Sequence, residues 1–221
     1  MNIIRNFVIL EGGDGSGTTT QLDLLRRRFS PLPAGNAPAP GSSSLPPLYP
    51  TFEPTDGPVG RLIRSALKGE TRLRPETLAR LFAADRGEHL HAAGGILERA
   101  RRGELVVCDR YVPSSLVYQG LECGDELPEA LNSPFPVPEL ILFFDLDPET
   151  ARERIKNRPE FEIYEYLDFQ IRVREKYRSL LPHFRSLGSR VEIVEASKKP
   201  EEVAEEVWRA IQKLPIIATN G

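Results

Sequence analysis

The sequence has few cysteines, no long apolar run and no large excess of charge, and each shortage excludes a class of protein. Its two cysteines are Cys108, in an apolar stretch, and Cys123, in a loop-like one; they favour a reduced, cytoplasmic protein over a disulfide framework. No apolar run is long enough to span a membrane. The strand-like start of the chain shows no signal peptide, and a net charge of −3 does not indicate nucleic-acid binding.

Five short apolar runs show little polar alternation, which indicates strands buried on both faces of a parallel sheet. These runs are residues 7–10, 48–52, 105–108, 140–144 and 191–194. Helical patterns lie between or after them, at residues 18–29, 57–68, 75–102, 148–157, 161–181 and 200–213. The alternation predicts a doubly wound α/β fold, in one domain over residues 1–213 with a tail at 214–221.

Residues 31–47 interrupt this alternation with a segment rich in Pro, Gly, Ala and Ser. A segment of this composition buries too little apolar surface to become ordered by itself. We predict a flexible insertion between the first helix and the second strand. It could be a passive linker, a lid or a proline-rich partner-binding segment.

A glycine-rich loop follows the first strand in the stretch FVILEGGDGSGTTTQ. Gly12 and Gly17 have the spacing of a phosphate-binding loop, but Thr18 stands where that loop carries its lysine. The backbone N–H groups and the following helix N-terminus bind phosphate without the lysine. Thr19 occupies the position whose hydroxyl binds Mg²⁺.

Two further stretches carry residue types that suit a nucleotide. Asp109 and Arg110 directly follow the third predicted strand, at the edge of the sheet where α/β proteins bind ligands. A guanidinium there can hold phosphate oxygens, and a carboxylate can organise Mg²⁺. Phe82 and Arg86 share one helix face, so that they could stack on a base and bond its edge. Alone, such a pair is more often a core Phe beside a solvated Arg.

Together, these motifs resemble the thymidylate kinase family of the nucleoside monophosphate kinase group. The resemblance is carried by FVILEGGDGSGTTTQ, LFAADRGEHL and DRYVPSSLVYQG, and more weakly by FFDLDPETARERI and LDFQIRVREKY. It implies a P-loop NTPase fold with a five-stranded parallel sheet and a lid at residues 156–168. It also implies transfer of phosphate from ATP to dTMP with Mg²⁺, and a homodimer formed through long helices, for which residues 75–102 are a candidate surface.

The resemblance also implies roles for individual residues. Phe82 would stack on thymine, Tyr118 would crowd the sugar 2′ position, and Arg110 would bridge the two phosphates. ATP phosphates are expected at Gly12, Gly13, Asp14, Gly15, Ser16, Gly17, Thr18, Thr19 and Thr20. The acceptor is expected at Asp14, Glu53, Arg64, Phe82, Arg86, Arg110, Ser115, Tyr118 and Gln119, and Mg²⁺ at Thr19 and Asp109. The catalytic set is Asp14, Asp109, Arg110 and Arg158, and the adenine would lie beside residues 196–198.

Three departures from the family pattern all concern positive charge near phosphate. The first is Thr18 in the glycine loop. The second is Phe52, where relatives often have an arginine before Glu-Pro, and the third is Phe161 at the usual lid arginine position. Our hypothesis is that other cations compensate: Arg64 at the acceptor phosphate, and Arg154 or Arg158 at the γ-phosphate.

Two alternatives to a dTMP kinase remain open from the sequence alone. One is a kinase of the same fold that phosphorylates another nucleoside or nucleoside monophosphate, which the arginine missing before Glu53 would fit. The other is a nucleotide-binding relative that has lost catalysis, which the three departures would fit.

Overall fold

The structure is a computed structural model that describes residues 2–30, 45–156, 164 and 166–218. Within these residues five strands form one parallel sheet in the order β2-β3-β1-β4-β5. They are β1 (Ile3–Gly12), β2 (Leu48–Phe52), β3 (Leu105–Asp109), β4 (Val137–Asp145) and β5 (Arg190–Glu195). Each contains one of the five predicted runs, so the predicted parallel α/β fold is confirmed.

Helices cover both faces of the sheet, and in β1 the side chains alternate between the two cores. Phe7 and Ile9 belong to one buried cluster, and Val8 and Leu10 belong to the other. This division explains the unbroken apolar sequence of the strand, because each residue meets a core whichever way it faces. The helices are α1 (Thr18–Phe29), α2 (Pro58–Leu67), α3 (Pro75–His91), α4 (Ile96–Arg101), α5 (Val112–Cys123), α6 (Glu126–Asn132), α7 (Pro148–Ile155), α8 (Leu167–Ser186), α9 (Pro200–Ile211) and α10 (Pro215–Ala218).

The single helix predicted over residues 75–102 is wrong, because the chain breaks it between α3 and α4. Gly94 has a left-handed φ of 72°. A Cβ at Gly95 would lie only 2.7 Å from the His89 carbonyl oxygen, so a side chain does not fit at this close turn. Helix α8 also differs from its prediction: it begins at Leu167 and continues to Ser186 through Pro182.

The remaining points of local structure concern the start of α7, three further helices and two segments that are mostly outside the described residues. Asp147 caps α7, accepting hydrogen bonds from the N–H groups of Glu149 and Thr150. Helices α5, α6 and α10 lie outside the predicted helical patterns. Most of the predicted insertion at 31–47 and of the predicted lid at 156–168 lies outside the described residues. In the described ranges, no helix combines the length and apolar character needed to cross a bilayer.

A buried carboxylate at the end of β1 ties the sheet to two helices. Glu11 is fully buried and accepts hydrogen bonds from the Tyr111 N–H (2.8 Å), the Ser114 hydroxyl (2.7 Å) and the Tyr177 hydroxyl (2.9 Å). Burial away from water raises the pKa of Glu11 from 4.5 to about 7, although these donors and Arg110 favour the charged form. Tyr177 lies on α8 and Ser114 on α5, so this one side chain positions both helices beneath the glycine loop.

Glu11→Gln tests this description, because the amide has the same shape and does not ionise. The pKa of Glu11 is higher in the folded than in the unfolded chain, so the wild type loses stability as the pH rises from 4.5 to about 7. We expect the variant to gain roughly 3 kcal/mol of unfolding free energy relative to wild type across that range. Urea denaturation between about pH 5 and pH 8 measures the difference, and parallel pH profiles for the two proteins would contradict it.

Candidate active site

The glycine loop connects β1 to α1 with a backbone that only glycines allow at two positions. Gly15 and Gly17 have left-handed φ values of 81° and 94°. A Cβ at Gly12 would lie 2.9 Å from the Phe144 carbonyl oxygen. The end of β1 therefore also requires a glycine, because the backbone of β4 comes so close to it. Helix α1 begins at Thr18 with no acidic residue in its first turn, which leaves its N-terminal partial positive charge uncompensated.

Thr18, Thr19 and Thr20 form the first turn of α1, and their side chains differ in burial. Thr18 is buried, and Thr20 is exposed. The Thr19 hydroxyl donates to Asp109 Oδ2 at 2.7 Å, which joins the glycine loop to the end of β3. The other oxygen of this carboxylate, Asp109 Oδ1, is buried and has no hydrogen-bond partner among the described residues. A hydroxyl beside a carboxylate with one unpaired buried oxygen fits the ligand preference of Mg²⁺.

Arg110 lies directly above the loop and is held by both its backbone and its side chain. Its φ of 70° is left-handed, and its N–H donates to the Leu10 carbonyl at 2.9 Å. The guanidinium donates to the Gly12 carbonyl (3.0 Å) and to Asp14 Oδ1 (2.6 Å), and it lies 5.2 Å from the centre of the Tyr118 ring. The predicted cation is therefore next to the phosphate loop.

Gln170 is a site residue that the sequence reasoning missed. Its amide accepts from the Asp14 N–H (3.0 Å) and donates to Asp14 Oδ2 (2.7 Å) and to the Tyr164 carbonyl (2.8 Å). It thereby links the glycine loop to Tyr164, a described residue of the predicted lid. The stretch LDFQ is part of the family resemblance, but spacing in the sequence gives no indication of a partner 156 residues away.

A cavity opens beside Asp14 and Arg110, and it collects every residue that was predicted to bind the acceptor. Its lining includes the whole predicted acceptor set, Asp14, Glu53, Arg64, Phe82, Arg86, Arg110, Ser115, Tyr118 and Gln119, together with Pro54, Leu67, Tyr111, Ser114 and Tyr164. These side chains come from the glycine loop, the segments after β2 and β3, helices α2, α3 and α5, and Tyr164 before α8. A concave surface with a few polar groups on an apolar lining is typical of a small-molecule site.

Arg86 forms the floor of this cavity within a buried polar network. It donates from Nε to Glu53 Oε2 (2.9 Å), from Nη2 to the Ser115 hydroxyl (3.0 Å) and from Nη1 to Asn132 Oδ1. Asn132, at the end of α6, was also missed, because nothing in the sequence pattern placed that helix next to α3. Both ions of the Arg86–Glu53 pair are almost fully buried, so removing one partner would leave an unpaired charge in the interior.

Gln119 adds an unpaired polar atom to the same wall. Its Oε1 is buried and has no hydrogen-bond partner among the described residues. Unpaired buried acceptors are costly, so an atom of this kind beside a cavity is suited to an N–H donor on a ligand. Phe82 lines the cavity from the same helix as Arg86, one turn earlier.

The proposed compensating cations have different positions. Arg64 lines the cavity, where it donates to the Pro54 carbonyl and to Asp56 Oδ1, each at 2.6 Å. Arg154 is exposed on α7 and donates to the Ser197 carbonyl at 3.4 Å, in the turn predicted to lie beside the adenine. Arg158 and Phe161 lie outside the described residues.

Comparison with known proteins shows the family of the chain. The family model described as Thymidylate kinase matches residues 10–207. A putative thymidylate kinase of Treponema pallidum is 40% identical over 202 residues, which is 91% of each chain. A probable thymidylate kinase of Pyrobaculum aerophilum is 39% identical over 94% of this chain and 97% of its own, and that of Methanocaldococcus jannaschii is 33% identical over 95% and 97%. The chain therefore belongs to the thymidylate kinase family.

Proposed function

We propose that the protein transfers the γ-phosphoryl group of Mg²⁺-bound ATP to dTMP, giving ADP and dTDP. One observation carries the proposal: the complete predicted acceptor set lines a single cavity that reaches Asp14 and Arg110 at the glycine loop. Phosphoryl transfer requires positioning and charge neutralisation rather than a nucleophilic side chain, because an oxygen of the dTMP phosphate attacks ATP. Loop N–H groups, arginines and a metal ion together meet this requirement.

On the donor side, the backbone of the glycine loop and the α1 N-terminus bind the ATP phosphates. Thr19 and Asp109 would hold Mg²⁺, directly or through water. The ion supplies charge neutralisation at the phosphate oxygens when it is bound. The Thr19–Asp109 hydrogen bond keeps both ligands in place, and Arg154 lies on the adenine side of the loop.

On the acceptor side, the buried polar groups discriminate the base. Phe82 stacks on thymine, and Arg86 donates to a base carbonyl from its network position. Gln119 Oε1, for which the described residues supply no donor, accepts the base N–H. A site that hydrogen-bonds its substrate rejects an analogue without the matching group, because its own polar atoms would stay unpaired. Cytosine and adenine differ from thymine at these edges.

The sugar and phosphate of dTMP lie between the base pocket and the glycine loop. Asp14, which Arg110 and Gln170 hold in position, binds the 3′-hydroxyl, and the Tyr118 ring excludes a 2′-hydroxyl. Arg110 and Arg64, which both line the cavity, contact the phosphate. The homodimer, the cytoplasmic location and the roles of residues 31–47 and Arg158 stay predictions from the sequence.

A coupled ADP-release assay with ATP and Mg²⁺ tests the proposed function directly. We expect rapid turnover with dTMP, weak turnover with dUMP, and little with dCMP, AMP or thymidine. Efficient use of one of the other acceptors would identify a kinase with a different specificity. Calorimetric binding of ATP or dTMP without turnover on any acceptor would identify the non-catalytic alternative.

Arg64→Ala tests the acceptor-phosphate role, with Arg61→Ala as the matched control. Both arginines lie on α2, but Arg64 lines the cavity, whereas Arg61 is exposed and bonds only the Asp56 carbonyl among the contacts described. Loss of a charged hydrogen bond to phosphate should lower kcat/KM for dTMP by roughly 100-fold in Arg64→Ala. We expect the KM for ATP to change little, and Arg61→Ala to resemble wild type. Equal kinetics for both variants would remove Arg64 from the site.

A further inference from the structure

We propose that Glu53, His89 and Cys108 form a second metal site, separate from the Mg²⁺ position, which binds a sulfur-preferring divalent ion of the Zn²⁺ class. A ring nitrogen of His89, a carboxylate oxygen of Glu53 and the Cys108 sulfur all lie within 4.8 Å of one another. The three residues lie behind the acceptor cavity, on the sheet face that α3 covers. Apart from Glu53, they belong to none of the roles assigned above.

The sheet register brings these side chains together. Thr51 on β2 is paired with Cys108 on β3, so their side chains project to the same face, while Asp109 projects to the opposite one. Glu53 follows β2 immediately, and its N–H donates to the Asp109 carbonyl at 3.0 Å. His89 reaches the same point from α3. The cluster is thus fixed by two strands and one helix rather than by a mobile loop.

The distances suit a tetrahedral ion. Nδ1 of His89 and Oε1 of Glu53 are 3.1 Å apart, close to the roughly 3.3 Å that separates two ligands of one Zn²⁺. The sulfur would need to move by about 1 Å at most to reach a Zn–S bond length. The carbonyl oxygen of Arg110, which lies 3.0 Å from Cys108 Sγ, or a water could complete the coordination.

The groups that orient metal ligands are already present around the cluster. Nε2 of His89 lies 2.7 Å from the Thr51 hydroxyl, which leaves Nδ1 for the ion. The other carboxylate oxygen of Glu53, Oε2, is held by Arg86 at 2.9 Å, so Oε1 stays directed at the cluster. A histidine bonded through its second nitrogen and a carboxylate anchored through its second oxygen are the usual supports of a protein metal site.

The chemistry of the thiol selects the class of ion. The ion would bind the thiolate form of the Cys108 side chain. Binding breaks the S–H bond, releases that proton to solvent and forms the metal–sulfur bond. Mg²⁺ prefers oxygen ligands and does not displace the proton, whereas Zn²⁺ and Cd²⁺ bind thiolate strongly. An ion can reach the cluster past Glu53, which lines both the acceptor cavity and a second groove beside Asp23 and Arg26.

The experiment uses tag-free Cys123→Ala protein, in which Cys108 is the one remaining cysteine of the sequence. Cd²⁺ is titrated in excess Mg²⁺ while the ultraviolet sulfur-to-metal charge-transfer absorbance is recorded. We expect saturation at one Cd²⁺ per chain and displacement of the Cd²⁺ by Zn²⁺. Adding His89→Asn should weaken binding by more than 10-fold, and Thr51→Val by about 10-fold, because the latter loses only the support of the histidine.

Two results would overturn the site. The first is the absence of a sulfur–Cd²⁺ band in folded Cys123→Ala protein, with circular dichroism confirming the fold. The second is a band whose strength and affinity do not change when His89→Asn is added. Because the cysteine is kept in every variant that is compared, neither result depends on the stability of a Cys108 substitution.

Discussion

The ion pair between Asp14 and Arg110 joins the two halves of the candidate active site. It connects the glycine loop after β1 to the segment after β3, with Arg110 Nη2 2.6 Å from Asp14 Oδ1. The left-handed backbone of Arg110 costs roughly 1–2 kcal/mol for a residue with a Cβ. Hydrogen bonds to the Leu10 and Gly12 carbonyls offset this strain, and Gln170 holds the other oxygen of Asp14. Strain that its surroundings maintain in this way is characteristic of functional sites.

The sequence predicts those parts of the structure that depend on local patterns. Five apolar runs gave the sheet, and the glycine loop predicted the start of α1 at Thr18. The sequence does not predict contacts between side chains that are far apart along the chain. Gln170 contacts Asp14, and Asn132 contacts Arg86, only after the helices have packed. The break after α3 was missed because the apolar spacing continues across it, while a close backbone approach at Gly95 ends the helix. Residue types near a strand end are thus predictable, whereas their partners are not.

The absence of a lysine from the glycine loop is the largest departure from the usual phosphate-binding arrangement. A unit charge about 4 Å from the phosphates is worth up to ~4 kcal/mol, so an active enzyme must replace it. Arg110 and Arg64 line the cavity, and the α1 N-terminus lies behind the loop. Asp109 Oδ1, which has no hydrogen-bond partner among the described residues, is available for the proposed metal ion. Our account is that these groups already neutralise the phosphates, so that Thr18 serves as an uncharged, buried start of the helix.

Steady-state kinetics of Thr18→Lys, with Thr18→Met as an uncharged control of similar length, test this claim most directly. If the phosphate charge is already neutralised, kcat/KM for Mg²⁺–ATP with saturating dTMP should rise by less than about 10-fold in Thr18→Lys. A gain approaching roughly 1000-fold, the equivalent of the full ~4 kcal/mol, would contradict the account if Thr18→Met did not share it. It would show that the position of the loop lysine is an unfilled part of the site.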